Sequence, residues 1–346
     1  MKILVTGANG FVGNALLKKL LHEGHEVTAL IRSNKIPEHH DRIKWIQGDL
    51  LVPEKLPVLE NIDKAYYLVH GLKSDEKEFE YIESLAAVNF INWIRPTKAG
   101  VIYLGGLGFD KEKLSPHLRS RHLTGAILGA SGLSVIEFRA SIILGEGSLS
   151  FEMIKALTER FPLRPKMPLL NQACQPLALS DLLEYLVGAL NLPPRGHEII
   201  EIGGPQAITY GELLDLYAKM SGLKRPKVKV PELDPRILMK TLEYTIPEYS
   251  MVGKKLTESL EHPTVVTNNL ASKMFPAIRP MPLSKAMEEA RKNSKTIYPP
   301  LWEKDFLKVL LSDKLLTESG PLPTELLRKL DKLEKLGRWG REFLKR

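Results

Sequence analysis

ILVTGANGFVG, residues 3–13, is a short apolar run of β type that breaks into Gly7, Gly10 and Gly13, and FVGNALLKKLLHEG continues from it with helical apolar spacing. A strand, a glycine-rich turn and a helix start in this order make the first half of a dinucleotide-binding βαβ unit. The chemistry needs a tight turn, a backbone that lets a pyrophosphate come close, and a helix N-terminus whose free N–H groups and dipole favour an anion. Glycine serves all three because it has no Cβ. Gly7, Asn9, Gly10, Phe11, Val12 and Gly13 are therefore expected against a dinucleotide, and the helix is expected to stop at Gly24.

Further strands are expected at 26–31, 43–46, 64–69, 100–105 and 134–139, with helices between most of them. This alternation predicts an α/β fold, a doubly wound parallel Rossmann sheet whose ligand lies outside the carboxyl ends of the strands at the switch point. The expected division is a dinucleotide-binding core at 1–150, its sheet completed by about 174–204. A smaller substrate or lid part follows at 151–173 and 205–298, then a helical tail at 299–346. Pro193-Pro194 and Pro299-Pro300 mark joints.

Of the 346 residues, 43% are hydrophobic and 26% charged, as in globular proteins. Cys174 is the single cysteine, which excludes an intramolecular disulfide framework and suits a reducing compartment; a small buried hydrophobe is its expected role. Met1 and Lys2 run straight into the first strand, and no stretch of about 18 uncharged apolar residues occurs. The expectation is a cytoplasmic protein.

Much of the formal charge of +8 lies in residues 324–346, where eight Lys or Arg face four acids. Leu326, Leu330, Leu333, Leu336 and Phe343 recur there at helical spacing, giving an amphipathic basic helix interrupted by Gly337 and Gly340. It is expected to dock on its own domain or on a second subunit of a homo-oligomer, with a membrane surface or a partner protein as the alternative. No interleaving of aromatic and basic residues points to nucleic acid.

The wording TGANGFVG resembles the extended and atypical short-chain dehydrogenase/reductases, in particular an NmrA-like bacterial branch related to the NAD-dependent epimerase/dehydratases. QGDL is similar to the family's segment after the third strand, which places Asp49 near the adenine with Leu50 beside it. YYLVHG resembles the fourth strand and the turn beneath the cofactor, implicating Val69, His70 and Gly71. Asn89 resembles the helix Asn that steadies the active-site backbone. FRASIILGEGS, QPLALSDLLEYLVGAL and EIGGPQAITYGELLDLYAKMSG resemble later stretches of the fold, so that the likeness runs well over about 1–225 and loosely to 298.

Cofactor choice turns on the end of the second strand. An NAD enzyme usually carries an acid there for the ribose 2′-hydroxyl, and an NADP enzyme an Arg for the 2′-phosphate. Here Ile31 stands nearest the acid position and Arg32 follows. Arg grips a phosphate with charge-assisted, bidentate bonds, so NADP is favoured over NAD.

The resemblance also implies a Tyr-x-x-x-Lys pair backed by a Ser at the end of the fifth strand. Gly105 or Gly106 stands in place of the Ser, and His117-Leu118-Arg119-Ser120-Arg121 in place of the pair. Arg121 can hold the nicotinamide ribose but stays protonated, whereas His117 can donate a proton near neutral pH. Tyr66, Tyr67 and Tyr103 are expected to be packing, and His39-His40 has no partners at metal-ligand spacing. Two readings stay open: an NADP-dependent oxidoreductase acting on a small organic carbonyl or enone, and a non-catalytic NADP(H)-binding redox sensor or assembly factor.

Overall fold

The computed structural model describes residues 1–32, 40–70, 79–108, 114–161, 164–166, 168–229 and 262–294. Gly71, His39, Pro299-Pro300 and residues 324–346, where a basic helix is expected, lie outside these residues.

The apolar runs become strands, those at the middle of the sheet buried on both faces and those at its edges partly exposed, as in a sheet covered by helices. They are β1 (Lys2–Thr6), β2 (Glu26–Ile31), β3 (Ile43–Gln47), β4 (Lys64–Tyr67), β5 (Gly100–Gly106) and β6 (Val135–Ala140). Next come β7 (Ile143–Leu144), β8 (Arg164–Lys166), β9 (Ala173–Cys174), β10 (Leu177–Ala178), β11 (His197–Ile202), β12 (Ile208–Thr209) and β13 (Lys227–Lys229). Seven of them form one sheet in the order β3-β2-β1-β4-β5-β6-β11. Every neighbouring pair is parallel, with Val5 opposite both Ala29 of β2 and Tyr66 of β4. The order reverses between β1 and β4, and that switch point sets the mouth for a ligand.

The helices are α1 (Phe11–His22), α2 (Phe79–Ile94), α3 (Pro116–Gly129), α4 (Leu149–Arg160), α5 (Leu179–Gly188), α6 (Tyr210–Met220), α7 (Leu270–Met274) and α8 (Leu283–Asn293). Alternation along β1 sorts the core into two layers. Ile3 and Val5 pack with Leu16 and Leu20 of α1 and Leu182 and Leu186 of α5, while Leu4 packs with Phe90, Ile91 and Ile94 of α2. A third cluster joins Ile142, Leu144, Phe151 and Ile154 to Leu213 and Tyr217 of α6 and Met287 of α8. It forms the smaller, separate core of the C-terminal half.

Local signals fix the starts of the helices that frame the site. Ser115 caps α3 through the Leu118 N–H, Ser148 caps α4 through the Phe151 N–H, and Thr209 with Glu212 makes a full capping box on α6. Tyr66 donates to the Leu186 carbonyl at 2.8 Å and Tyr103 to that of Arg121 at 2.9 Å, so these buried phenols are packing groups with satisfied hydroxyls. Cys174 is buried, and burial, followed by the charge of Glu212, pushes its thiol up to about 12, so it stays protonated.

Candidate functional site

The glycine turn leads into α1 through Gly10, which occupies the N-cap with no side chain closing the helix end and no acid in the first turn. Gly7 has φ +68°, and a Cβ there would meet the Leu68 carbonyl at 2.5 Å; a Cβ on Gly13 would fall on the Gly7 carbonyl. Neither position has room for a side chain. The free N–H groups of the helix thus open onto a cavity of about 480 Å³ at the switch point. Its wall includes Gly7, Asn9, Gly10, Phe11, Val12 and Gly13 from the turn, with Arg32, Asp49, Leu50, Val69 and His70 from beyond the other strand ends and Arg121 from α3. A cradle of this shape fits a dinucleotide: α1 would hold the pyrophosphate, Asp49 and Leu50 the adenine side, and Arg32 the ribose beyond it.

Asn89 is the described exception. It does not line the cavity; its side chain donates to the Leu50 carbonyl at 2.6 Å. Its reach toward a ligand is through the backbone after β3, on the adenine side. Gly71 lies outside the described residues.

A second cavity, of about 250 Å³, meets the first at His70, Leu104 and Arg121. Gly105 and Gly106, at the end of β5, line it where a serine hydroxyl would project, and a Cβ on Gly106 would stand 2.8 Å from Leu118 Cδ2. His117 and Arg121 reach it from the first two turns of α3. Arg121 donates to the Leu104 carbonyl, and its guanidinium lies 4.9 Å from the Tyr103 ring centroid, so it is pinned at the junction of the cavities.

His117 does not stand alone. Its ring lies 4.9 Å from that of His70, tilted by 36°, and both line the smaller cavity. Behind His70, its Nδ1 is 2.6 Å from the carboxylate of Glu83, which also accepts from Ser120 Oγ at 2.6 Å. Burial pushes the Glu83 carboxyl up, but the hydrogen bond and charge of His70, then Arg121 and Ser120, outweigh it and hold the group at about 2. Glu83 is therefore a buried, ionised carboxylate at the back of an imidazole pair.

Sequence reasoning missed Glu83, although a signal was there. Phe79, Glu83, Ala86, Ala87 and Phe90 form the buried stripe of α2, and an acid on such a stripe calls for a partner. Among the described residues no cluster of His, Cys, Asp and Glu could hold a metal; His40 Nδ1 accepts from the Arg42 N–H in a local turn.

Residues 3–103 match the NAD dependent epimerase/dehydratase family. The match spans the part of the sheet from β1 into β5. A ceramide reductase of Caulobacter vibrioides is 24% identical over 242 residues, 68% of this chain and 75% of that protein. A photosystem II assembly factor, Ycf39 of Guillardia theta, is 22% identical over 67% of this chain and 74% of that protein. The uncharacterised YLL056C of Saccharomyces cerevisiae is 32% identical over 115 residues, 38% of its own length. Among solved structures, a UDP-glucose 4-epimerase of Thermotoga maritima, determined with UDP-glucose, superposes over 84% of this chain and 98% of its own. Its TM-score is 0.63 at 13% identity, a likeness of fold. No helix among the described residues is long and apolar enough to cross a membrane.

Proposed function

We infer that the protein is an NADP-dependent oxidoreductase that reduces an organic carbonyl or enone, its proton moved by the His70–His117 pair. The observation that carries this reading is the junction of the two cavities, where the paired imidazoles and Arg121 meet the inner end of the dinucleotide groove. NADPH, when bound, supplies the hydride. The chain supplies the rest: Arg121 fixes the junction, and the walls hold the carbonyl against the imidazoles.

In a carbonyl reduction the hydride adds to the carbonyl carbon, the C=O electron pair moves onto oxygen, and an imidazolium gives that oxygen its proton. The neutral imidazole is then reprotonated from solvent. A positive charge on His117 would face the N-terminal end of α3, whereas one on His70 faces the Glu83 carboxylate. The carboxylate therefore favours the pair's positive charge on His70, beside the tilted ring of His117. The similarity to a ceramide reductase supports carbonyl reduction, and the similarity to an assembly factor supports the second reading, an NADP(H) sensor without turnover.

Oxidation of NADPH across a panel of ketones and enones tests the choice. Turnover is expected, and His117→Phe should lower kcat by roughly 10² or more with NADPH affinity retained. A fully active His117→Phe protein would remove that residue from the proton step. Tight NADPH binding with no turnover across the panel would favour the sensor.

A further inference from the structure

The smaller cavity says more about its ligand than that it carries a reducible group. Away from the junction its wall is made by Ile142, Met153, Ile154, Leu157, Leu170 and Leu214, from the segment after β6 and from α4, α6 and the turn between them. Ser150 adds one hydroxyl to this wall, and the other polar side chains there bond one another. Ser141 Oγ lies 2.7 Å from Thr264 Oγ1, and Tyr210 reaches the same Thr264 hydroxyl at 3.5 Å. The Gln175 N–H also donates to Ser141 Oγ, at 3.4 Å.

Among the described residues of this wall, Arg121 is the only permanently charged side chain, and it is held by the Leu104 carbonyl and the Tyr103 ring. A hexose in such a space would leave several hydroxyls without partners, each costing the desolvation of a buried polar group. A second diphosphate would find one cation, already engaged. A hydrocarbon needs neither.

Resting on the oxidoreductase reading of the same site, we propose that the substrate is a hydrocarbon-chain ketone or aldehyde of on the order of ten non-hydrogen atoms. Its carbonyl lies at the His70–His117–Arg121 junction, and its chain lies between α4 and α6. Sugar nucleotides are excluded by the same wall. The size follows from a cavity of about 250 Å³, just below the range of ~300–1,000 Å³ that holds drug-sized ligands.

The test is a ladder of straight-chain methyl ketones from butan-2-one to decan-2-one, bound to the full-length protein saturated with NADP⁺ and read by calorimetry, with UDP-glucose as the polar probe. The expected result is an affinity that rises about three- to fourfold per methylene until the cavity is full, with no competition by UDP-glucose. Leu157→Trp should end that rise several carbons earlier while the affinity for NADPH is unchanged. The unmodified protein carries the test if that variant fails to fold. Affinity independent of chain length, or displacement of the ketones by UDP-glucose, would overturn the proposal even if the protein reduces some polar carbonyl. Chain-length-dependent binding with no oxidation of NADPH would uphold the apolar ligand class and remove the oxidoreductase reading instead.

Discussion

Glu83 shows how one residue reorganises the chemistry of its neighbours. A carboxylate inside a protein persists as an ion only when opposite charge and hydrogen bonds outweigh its desolvation, and His70, Arg121 and Ser120 supply these here. Because its folded value of about 2 lies below the ~4.3 of an unfolded glutamate, its stabilising contribution is complete above that upper value. It is lost as pH falls from about 4.3 to about 2. Glu83→Gln should therefore flatten the acid limb of a stability-versus-pH curve in that window, as followed by urea unfolding. The same exchange has a second, kinetic reading. With imidazolium as the acid, the rate should fall as pH rises through about 6–7.5, and removing the carboxylate should move that fall to lower pH by about a unit. An unmoved kinetic limb would detach Glu83 from the proton step and leave it a purely structural ion.

At the scale of elements, α3 carries His117 and Arg121 into the site, and what fixes α3 is a buried network beneath it. Glu137 on β6 is fully buried and bonds Arg139 Nε at 2.7 Å and His197 Nε2 at 2.8 Å. A Cβ added to Gly125 of α3 would fall on that carboxylate, whose two partners stop it from swinging away. Alanine for glycine in a helix ordinarily stabilises by about 1 kcal/mol. Here Gly125→Ala should destabilise by about 1–3 kcal/mol in denaturant unfolding, because the helix must rise off the sheet. A neutral or stabilising result would show that α3 has slack at this point.

The elements also show what the chain discloses of itself. Six strands of the large sheet were legible as ranges and the seventh as a completion of the sheet within about 174–204, because a parallel sheet covered on both faces writes apolar runs such as ILV and VIYL. The dinucleotide cradle was legible for a similar reason: its glycines answer to local backbone geometry. The second cavity was not. Its wall draws on residues as far apart as Gly105, Leu170 and Thr264, and aliphatic side chains there read no differently from core. His70 was placed near the cofactor by its position after β4, but its pairing with Glu83 and His117 depends on how α2 and α3 lie across the sheet.

Over the whole molecule, the dinucleotide groove runs from the sheet to the start of α4. Gly147 and Leu149, at the start of α4, line it together with the turns after β1, β2, β3 and β4. A ligand in the groove therefore ties the sheet to α4, whose Phe151 and Ile154 belong to the third core cluster, and its binding free energy adds to the stability of both. NADPH at about 100 times its dissociation constant should stabilise the fold by roughly 2.7 kcal/mol, read as a rise of several degrees in Tm. On the NADP reading, the contribution specific to that cofactor comes from Arg32, just past the end of β2 on the wall of the groove. A charge-assisted contact of about 1.5–3 kcal/mol corresponds to a preference for NADPH over NADH of about 10- to 150-fold. Arg32→Ala should bring the two affinities close together by weakening NADPH alone, with the NADH-induced shift in Tm unchanged. Equal affinities in the unmodified protein, or a preference that survives Arg32→Ala, would place the choice of cofactor elsewhere in the groove.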